Sequence, residues 1–584
     1  MIGLIAATAA GRRAAARLAE ALGDCRVYQE ASVGEALRRA WSECDQLVCF
    51  LATGATVRLI APLLADKHTD LGVVCVDEAA RFAVALVGGH AGGANALAER
   101  TAEALEAQPV LTTATDAVGV PGLDTLGWPV TGEVAAVGRA VLDGSPVRLV
   151  ADAVHPLPAL PDNVRPWPPT ATGSVKAADA PAATVYVSDR LAPWAAEGGA
   201  PSGPSVVLHP RSLAVGVGAS RGVAAAEVLD LVAAALADAG LSPHAVACLA
   251  SVDAKADEPG LVEAARTLGV ELVTFTADAL AAVPVPNPSA APLAAVGTPS
   301  VAEAAAVVAA GGGELLVPKR KSAPEGRAAM CTVAVARRPV RGRLAVIGLG
   351  PGARDLLTPR ARTELRRASV VVGLDQYVDQ IRDLLRPGVR IEETGLGAEE
   401  ERARSAVRLA EQGLAVALIG SGDAGVYAMA SPALAEAGPD IDVVGVPGVT
   451  AALAASSLLG APLGHDHVSI SLSDLHTPWE VIERRVRAAA SADLVVTFYN
   501  PRSRGRDWQL PKALALLAEH RDPATTPVGV AHAVSRPDEW CTVTTLAEVD
   551  VTTVDMTTVV VVGNTASRAV AGRMVTPRGY RWQG

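Results

Sequence analysis

Gly348, Gly350 and Gly352 end the short apolar run LAVIG, and a backbone without Cβ atoms can bring its N–H groups close against a ligand. Gly348, Gly350 and Ala353 also fit G-x-G-x-x-(G/A), the phosphate loop of a nicotinamide-nucleotide fold. Pro351 inside the loop and Pro359, where the phosphate-binding helix should already be running, oppose that reading. Further along, SGDAGVYAMA offers the carboxylate of Asp423, VPGVTAALAAS opens an alanine-rich helix at Thr450, and FYNPRSRG ends a strand with Tyr499 and Asn500 ahead of Arg502, Arg504 and Arg506. Such loops, meeting in one cleft, could serve a cationic ligand group and a polycarboxylate together. In the first part of the chain His90 stands between two Gly-Gly pairs in GGHAGGAN, where little neighbouring side chain shields an imidazole that titrates near neutral pH. Lys67, Asp77, Glu78 and the run TTATD ending at Asp116 supply further polar groups nearby in sequence.

These groups need a scaffold, and the pattern of the chain supplies an α/β one. Residues 1 to about 150 alternate apolar strands (GLIAAT, QLVCFLAT, LGVVCVD) with alanine-rich helical stretches, the rhythm of a mostly parallel sheet whose loops bind ligands at the strands' carboxyl ends. From 151 to 211 proline becomes frequent and periodicity fades, which predicts a small middle segment or structured linker. A further α/β unit is expected over 212–336, then a basic linker RRPVRGR at 337–343, then an α/β half over 344–584 in which the strand-and-loop device recurs.

At 584 residues the chain is too long for one core. The net charge of −11 is spread without basic blocks, which argues against a nucleic-acid partner. The first residues place their apolar run before their arginines, the reverse of a secretory signal, and no stretch is apolar for ~18 residues, so a cytoplasmic protein without a membrane span is expected. The seven cysteines form no C-x-x-C pair, so no metal site is expected.

The combination GLGPG, SGDAGVYAMA, VPGVTAALAA, SLSDLHTPWEVIE, FYNPRSRGR and VVVVGNT resembles the tetrapyrrole methylases, most closely the precorrin-3B or cobalt-factor III C(17)-methyltransferases, over about Leu344 to Gly572. Upstream, ATGATVRLIAPLLADKHTDLGVVCVDE, LVGGHAGGANALAE and PVLTTATD look like the N-terminal domain of cobalt-precorrin-5A hydrolase, and LASVDAKADEPGL with VGTPSVAEAAA like its C-terminal domain. Ala219 and Ser220 depart from that family, which usually has Cys followed by a basic residue there.

The resemblance implies S-adenosylmethionine in a cleft between two α/β subdomains, at Pro351, Ser421, Gly422, Asp423, Val426, Thr450, Ala451 and Asn500, and a homodimer formed through the methylase half. Ala353 replaces the Asp that many relatives carry after the glycine turn. The implied reaction methylates a tetrapyrrole while contracting its ring and closing a lactone, which needs proton movement; His465, Asp466 and Tyr499 are the candidates. The N-terminal half is implied to open a lactone with water and release acetaldehyde, with His90 as base, Lys67 or the Gly88–Gly93 amides at the oxyanion, and Asp116 in reserve. Two rival readings are a non-catalytic tetrapyrrole carrier for the N-terminal half and a nicotinamide-dependent reductase.

Overall fold

A computed structural model describes the chain apart from residues 67–68, 90–91, 114–119, 121, 167–180, 198, 325, 396, 504 and 580–584, and gives the backbone alone at 196–197. It divides into two compact units. The first comprises Met1–Ala153, Leu160–Val340 and Arg386–Gly388; the second comprises Val154–Ala159, Arg341–Leu385 and Val389–Gly584.

The first unit holds three sheets. β1 (Ile2–Ala6), β2 (Cys25–Tyr28), β3 (Gln46–Phe50), β4 (Gly72–Val76), β5 (Phe82–Val87) and β6 (Gln108–Val110) lie in the order β2-β1-β3-β4-β5-β6, parallel except where β5 runs against β4. Buried Leu4, Val48, Phe50 and Val74 present one face of this sheet to helices Ala9–Leu22 and Ala94–Leu105. Thr8 caps the first of these helices by accepting the Gly11 N–H at 3.0 Å.

The second sheet corrects the expected boundaries. β7 (Val130–Gly132), β8 (Val147–Ala151), β9 (Val164–Pro166), β10 (Ala183–Val187) and β11 (Ser205–Leu208) pair in the order β7-β11-β10-β8-β9. The first domain therefore ends before Val130, and the proline-rich stretch 151–211 supplies strands to a sheet of its own. Proline hid this because it punctuates the strand ends, while the fully buried run ATVYV of β10 needs no alternation.

Within this sheet's surroundings His209, 2% exposed, donates from Nδ1 to the Ser188 carbonyl at 3.2 Å and meets the Thr131 hydroxyl through Nε2 at 2.9 Å. Burial, and then the neighbouring His244, push its pKa down to about 4. An unfolded histidine titrates near ~6.5, so the unfolded chain takes up the extra proton, and stability is lost as pH falls from there towards 4, by about 3 kcal/mol at most. The melting temperature of wild type is expected to drop more steeply between neutral pH and pH ~4.5 than that of His209→Gln, which can keep both hydrogen bonds without titrating. Parallel pH profiles would remove His209 as the cause.

The third sheet, β12 (Leu213–Ala219), β13 (Val246–Val252), β14 (Glu271–Phe275), β15 (Glu314–Lys321) and β16 (Cys331–Arg337), has the order β14-β13-β12-β16-β15. Glu258 accepts the Gly222 N–H at 2.7 Å and pairs with Lys255 at 2.8 Å, which holds the turn after β12. Arg337 is the last residue of β16, paired with buried Asp189 at 2.7 Å, and Arg343 is the first of β17, paired with buried Glu364 at 2.8 Å. The linker expected over 337–343 is thus only 338–342, because both terminal arginines have acid partners in folded sheets.

The second unit carries the methylase-like half. β17 (Arg343–Gly348), β18 (Val370–Leu374), β19 (Arg390–Thr394), β20 (Ala415–Gly420) and β21 (Asp442–Val446) form an all-parallel sheet ordered β19-β18-β20-β17-β21. β17 lies between β20 and β21, so the loops leaving these three strands emerge side by side. A second, mixed sheet follows: β23 (His467–Ser471), β24 (Val495–Tyr499), β25 (Pro527–His532), β26 (Trp540–Thr545) and β27 (Thr558–Val562), ordered β23-β24-β27-β25-β26. β22 (Gly460–Ala461), β28 (Arg568–Val570) and β29 (Arg573–Val575) make a small third sheet.

Candidate functional site

The glycine loop after β17 is tied to the loop after β20 by a reciprocal pair of hydrogen bonds, Gly350 N–H to Gly422 O at 3.0 Å and Gly422 N–H to Gly350 O at 2.8 Å. The loop after β21 closes on both. A Cβ on Gly448 would stand 2.2 Å from Gly422 O and 2.7 Å from Gly348 O, so only glycine permits this approach. Asp423 fastens the arrangement: one carboxylate oxygen accepts the Gly425 N–H at 2.8 Å and the other the Gly448 N–H at 3.0 Å, joining the second loop to the third. Pro351 sits between Gly350 (φ 76°) and Gly352 (φ 152°). A 3-10 turn, Arg354–Leu356, separates this loop from the helix, which begins only at Pro359. A glycine loop so separated does not aim a helix N-terminus at a phosphate, unlike a dinucleotide fold.

Thr450 precedes helix Ala451–Leu459 but makes no capping bond of its own. Tyr499, at the end of β24, does the capping: its hydroxyl accepts the Ala452 N–H at 2.8 Å and lies 2.6 Å from Thr450 Oγ1, to which its single proton can be donated. The Tyr427 ring leans on that of Tyr499, centroids 5.2 Å apart, and its hydroxyl donates to Ser469 O at 2.8 Å. Burial raises the pKa of both phenols, so each keeps its proton at neutral pH. The expectation that Tyr499 moves a proton gives way to one in which it positions Thr450 and the helix.

His465 and Asp466 do not join Tyr499. β23 and β24 are parallel, with His467 opposite Val495 and Ser471 opposite Tyr499, so His465 and Asp466 precede the amino end of β23, ~13 Å or more from the cleft loops at its other end. Both side chains are exposed, and His465 Nδ1 accepts the Asp466 N–H at 2.7 Å. The arginines of FYNPRSRG are also otherwise engaged: Arg502 binds the Val551 and Thr552 carbonyls, and Arg506 those of Leu472 and Asn500, while Arg504 lies outside the described residues.

Of the expected cofactor residues, Pro351, Ser421, Gly422, Asp423, Thr450 and Ala451 belong to the joined loops or the helix start, and Val426 follows Asp423 on the same loop, where its N–H bonds Asp423 O at 3.2 Å. Asn500 has φ 47° and donates its side-chain amide to Ser471 Oγ at 3.2 Å. Tyr427, Asn500, Ala533 and Ser535, all on loops of this region, adopt positive φ without being glycine. Such backbone strain gathers where a site demands it. Ser535 and Arg536 are groups that sequence reasoning missed: Ser535 Oγ accepts the Ala353 N–H at 3.0 Å, and Arg536 Nε donates to Pro351 O at 3.2 Å. The available signal was the polar turn SRPDE directly after a strand.

In the first unit His90, Lys67 and Asp116 lie outside the described residues. Their surroundings are anchored by Gly92 O accepting Gln46 Nε2 at 3.0 Å and by Asn95 Nδ2 donating to Thr113 at 2.9 Å. A Cβ on Gly72 would stand 2.1 Å from Gly92 O, which brings Gly92 against β4.

Three protein-family models match the chain: Tetrapyrrole (Corrin/Porphyrin) Methylases over residues 343–550, Cobalamin synthesis G C-terminus over 213–336, and Cobalamin synthesis G N-terminal over 35–116. The chain is 47% identical over 240 residues to the probable cobalt-factor III C(17)-methyltransferase of Salmonella typhimurium, covering 41% of this chain and 99% of that one. It is 43% identical over 251 residues to the cobalt-factor III methyltransferase of Priestia megaterium, covering 41% of this chain and 46% of that protein, so it spans about half of that relative's length. Identity to the precorrin-3B C(17)-methyltransferase of Sinorhizobium sp is 41% over 251 residues, covering 41% and 97%.

Proposed function

We propose that this chain, which belongs to the tetrapyrrole methylase family and carries both cobalamin-synthesis G domains ahead of the methylase, is a bifunctional enzyme of cobalamin biosynthesis. Its second unit methylates C-17 of cobalt-factor III or precorrin-3B with ring contraction; its first opens the lactone of cobalt-precorrin-5A and releases acetaldehyde. The observation that carries the methylation is the 47% identity across 99% of the Salmonella typhimurium protein.

The site's chemistry fits S-adenosylmethionine. Three backbone loops too close for a Cβ leave an unobstructed cradle, the start of helix Ala451–Leu459 suits an amino-acid carboxylate, and Asp423 has lone pairs left beyond its two backbone bonds. When bound, the cofactor supplies a methyl group made electrophilic by its sulfonium. The chain's own part is placement, which is worth about 7–11 kcal/mol when reacting atoms are held in line. Tyr499 locks Thr450 and the Ala452 amide in that frame, and its phenol stays protonated there. Tyr499→Phe removes the acceptor of the Ala452 N–H and the partner of Thr450, at about 1–2 kcal/mol, so affinity for S-adenosylhomocysteine is expected to fall by roughly five- to thirtyfold. Calorimetric titration reads this; an unchanged affinity would leave Tyr499 as packing alone.

Mass spectrometry of the purified protein with cobalt-factor III and S-adenosylmethionine tests the methylation. Acetaldehyde release from cobalt-precorrin-5A, trapped with alcohol dehydrogenase and NADH, tests the hydrolysis. His90→Ala is expected to abolish acetaldehyde formation and leave C-17 methylation intact, because His90 is the base proposed for the first unit. Full acetaldehyde release by His90→Ala would move that role to Lys67, Glu78 or Asp116.

A further inference from the structure

The turn after β25 carries an arginine that the reaction as described does not use. Arg536 lies flat on the glycine loop: its Nε donates to Pro351 O at 3.2 Å, and a Cβ on Gly352 would stand 2.9 Å from Arg536 Cγ. Among the described residues, nothing accepts a hydrogen bond from its two Nη nitrogens, and it has no acid partner. The acid on its own turn, Glu539, is engaged with the Ser535 N–H instead. Arg343 and Arg354 of this unit have acid partners, in Glu364 and Asp383.

A second arginine of this unit also lacks an acid partner. Arg402 is buried without a carboxylate, its nitrogens going to Thr394 Oγ1, Gly395 O and Met429 Sδ. Burial raises the pKa of Tyr377, and Arg536 and Arg402 act in the opposite sense. Neither guanidinium has an acid partner, and a guanidinium's free N–H edge matches a carboxylate.

We propose that Arg536 binds a carboxylate side chain of the tetrapyrrole, an acetate or propionate, through its free Nη edge while its Nε holds the Pro351 turn in place. This rests on the methylase reading above and specifies how that site selects a polycarboxylate. It couples substrate and loop: the same side chain that receives the macrocycle fixes the turn beside which the methyl donor is held.

The test pairs a binding measurement with turnover. Uroporphyrin III, a tetrapyrrole carrying acetates and propionates, is titrated by fluorescence into wild type, Arg536→Met and Arg536→Lys, with S-adenosylhomocysteine affinity measured on each. Porphyrin Kd is expected to rise at least threefold in Arg536→Met and to recover in part in Arg536→Lys, while S-adenosylhomocysteine Kd rises by a smaller factor, through loss of the Nε bond to Pro351 O alone. A porphyrin Kd changed less than threefold in Arg536→Met, an equal loss of S-adenosylhomocysteine affinity, or a wild type that does not bind uroporphyrin III would each overturn the proposal. Methylation of cobalt-factor III by wild type is assayed alongside. A protein that binds the porphyrin through Arg536 and yet fails to methylate cobalt-factor III removes the assigned reaction and leaves the carboxylate site standing.

Discussion

Replacing Gly448 with alanine is expected to weaken S-adenosylhomocysteine binding severalfold to more than a hundredfold while the first unit stays folded. The added Cβ would lie 2.2 Å from Gly422 O, 2.7 Å from Gly348 O and 2.8 Å from Gly348 C, all of them backbone atoms. No rotamer change relieves such contacts, so the loops after β17, β20 and β21 must part, and forcing one methyl into a filled site costs typically about 1–3 kcal/mol. At ~1.4 kcal/mol per tenfold, affinity should fall between about five- and more than a hundredfold, and methylation with it. Gly445→Ala is the internal control, since it lies on β21, the strand that leads into this loop, with nothing within 4 Å of the added carbon. Calorimetric affinities for the two variants that agree within threefold would show that the close approach of the loops is dispensable.

The second large effect is expected from Asp423→Ala. This carboxylate is the acceptor for the Gly425 and Gly448 amides and, among the described residues, joins its loop to that of Gly448 through a side chain. Each amide bond to a charged acceptor contributes about 1.5–3 kcal/mol. Both amides are partly open to water, which returns some of that, so a loss of about 2–3 kcal/mol in cofactor affinity is expected, roughly thirty- to more than a hundredfold. Asp423→Asn should recover little, because one of its two positions then sets an NH2 group against an N–H. Equal S-adenosylhomocysteine affinity in Asp423→Ala and wild type would take this side chain out of the site.

These two residues differ in how far their roles could be read from the chain. The glycines announced a backbone loop because the absence of Cβ is a local property, written in the residue itself. Asp423 stood in the right loop, but its partners did not show: the Gly448 amide is 25 residues away, and only pairing of β17 with both β20 and β21 makes them neighbours. Tyr499 was singled out as a proton carrier and instead caps a helix that begins 48 residues earlier in the chain, at Ala451. His465 and Asp466 differ in another way. They are close to the cleft residues in sequence, yet a strand is extended, and a few residues of it carry them to the opposite end of the sheet.

By itself, the sequence determined the α/β class, the strands that end in glycine or proline loops, and the family, since these rest on local sterics, on apolar runs and on motifs read in order. The tertiary structure decided which of the polar groups meet. It made the proline-rich stretch part of a sheet, spent Arg502 and Arg506 on backbone carbonyls, and brought Ser535 and Arg536 onto a glycine loop 182 and 185 residues away. Contacts over that separation depend on how two sheets fold back on each other, a property of the whole unit for which no short window of residues carries a signal.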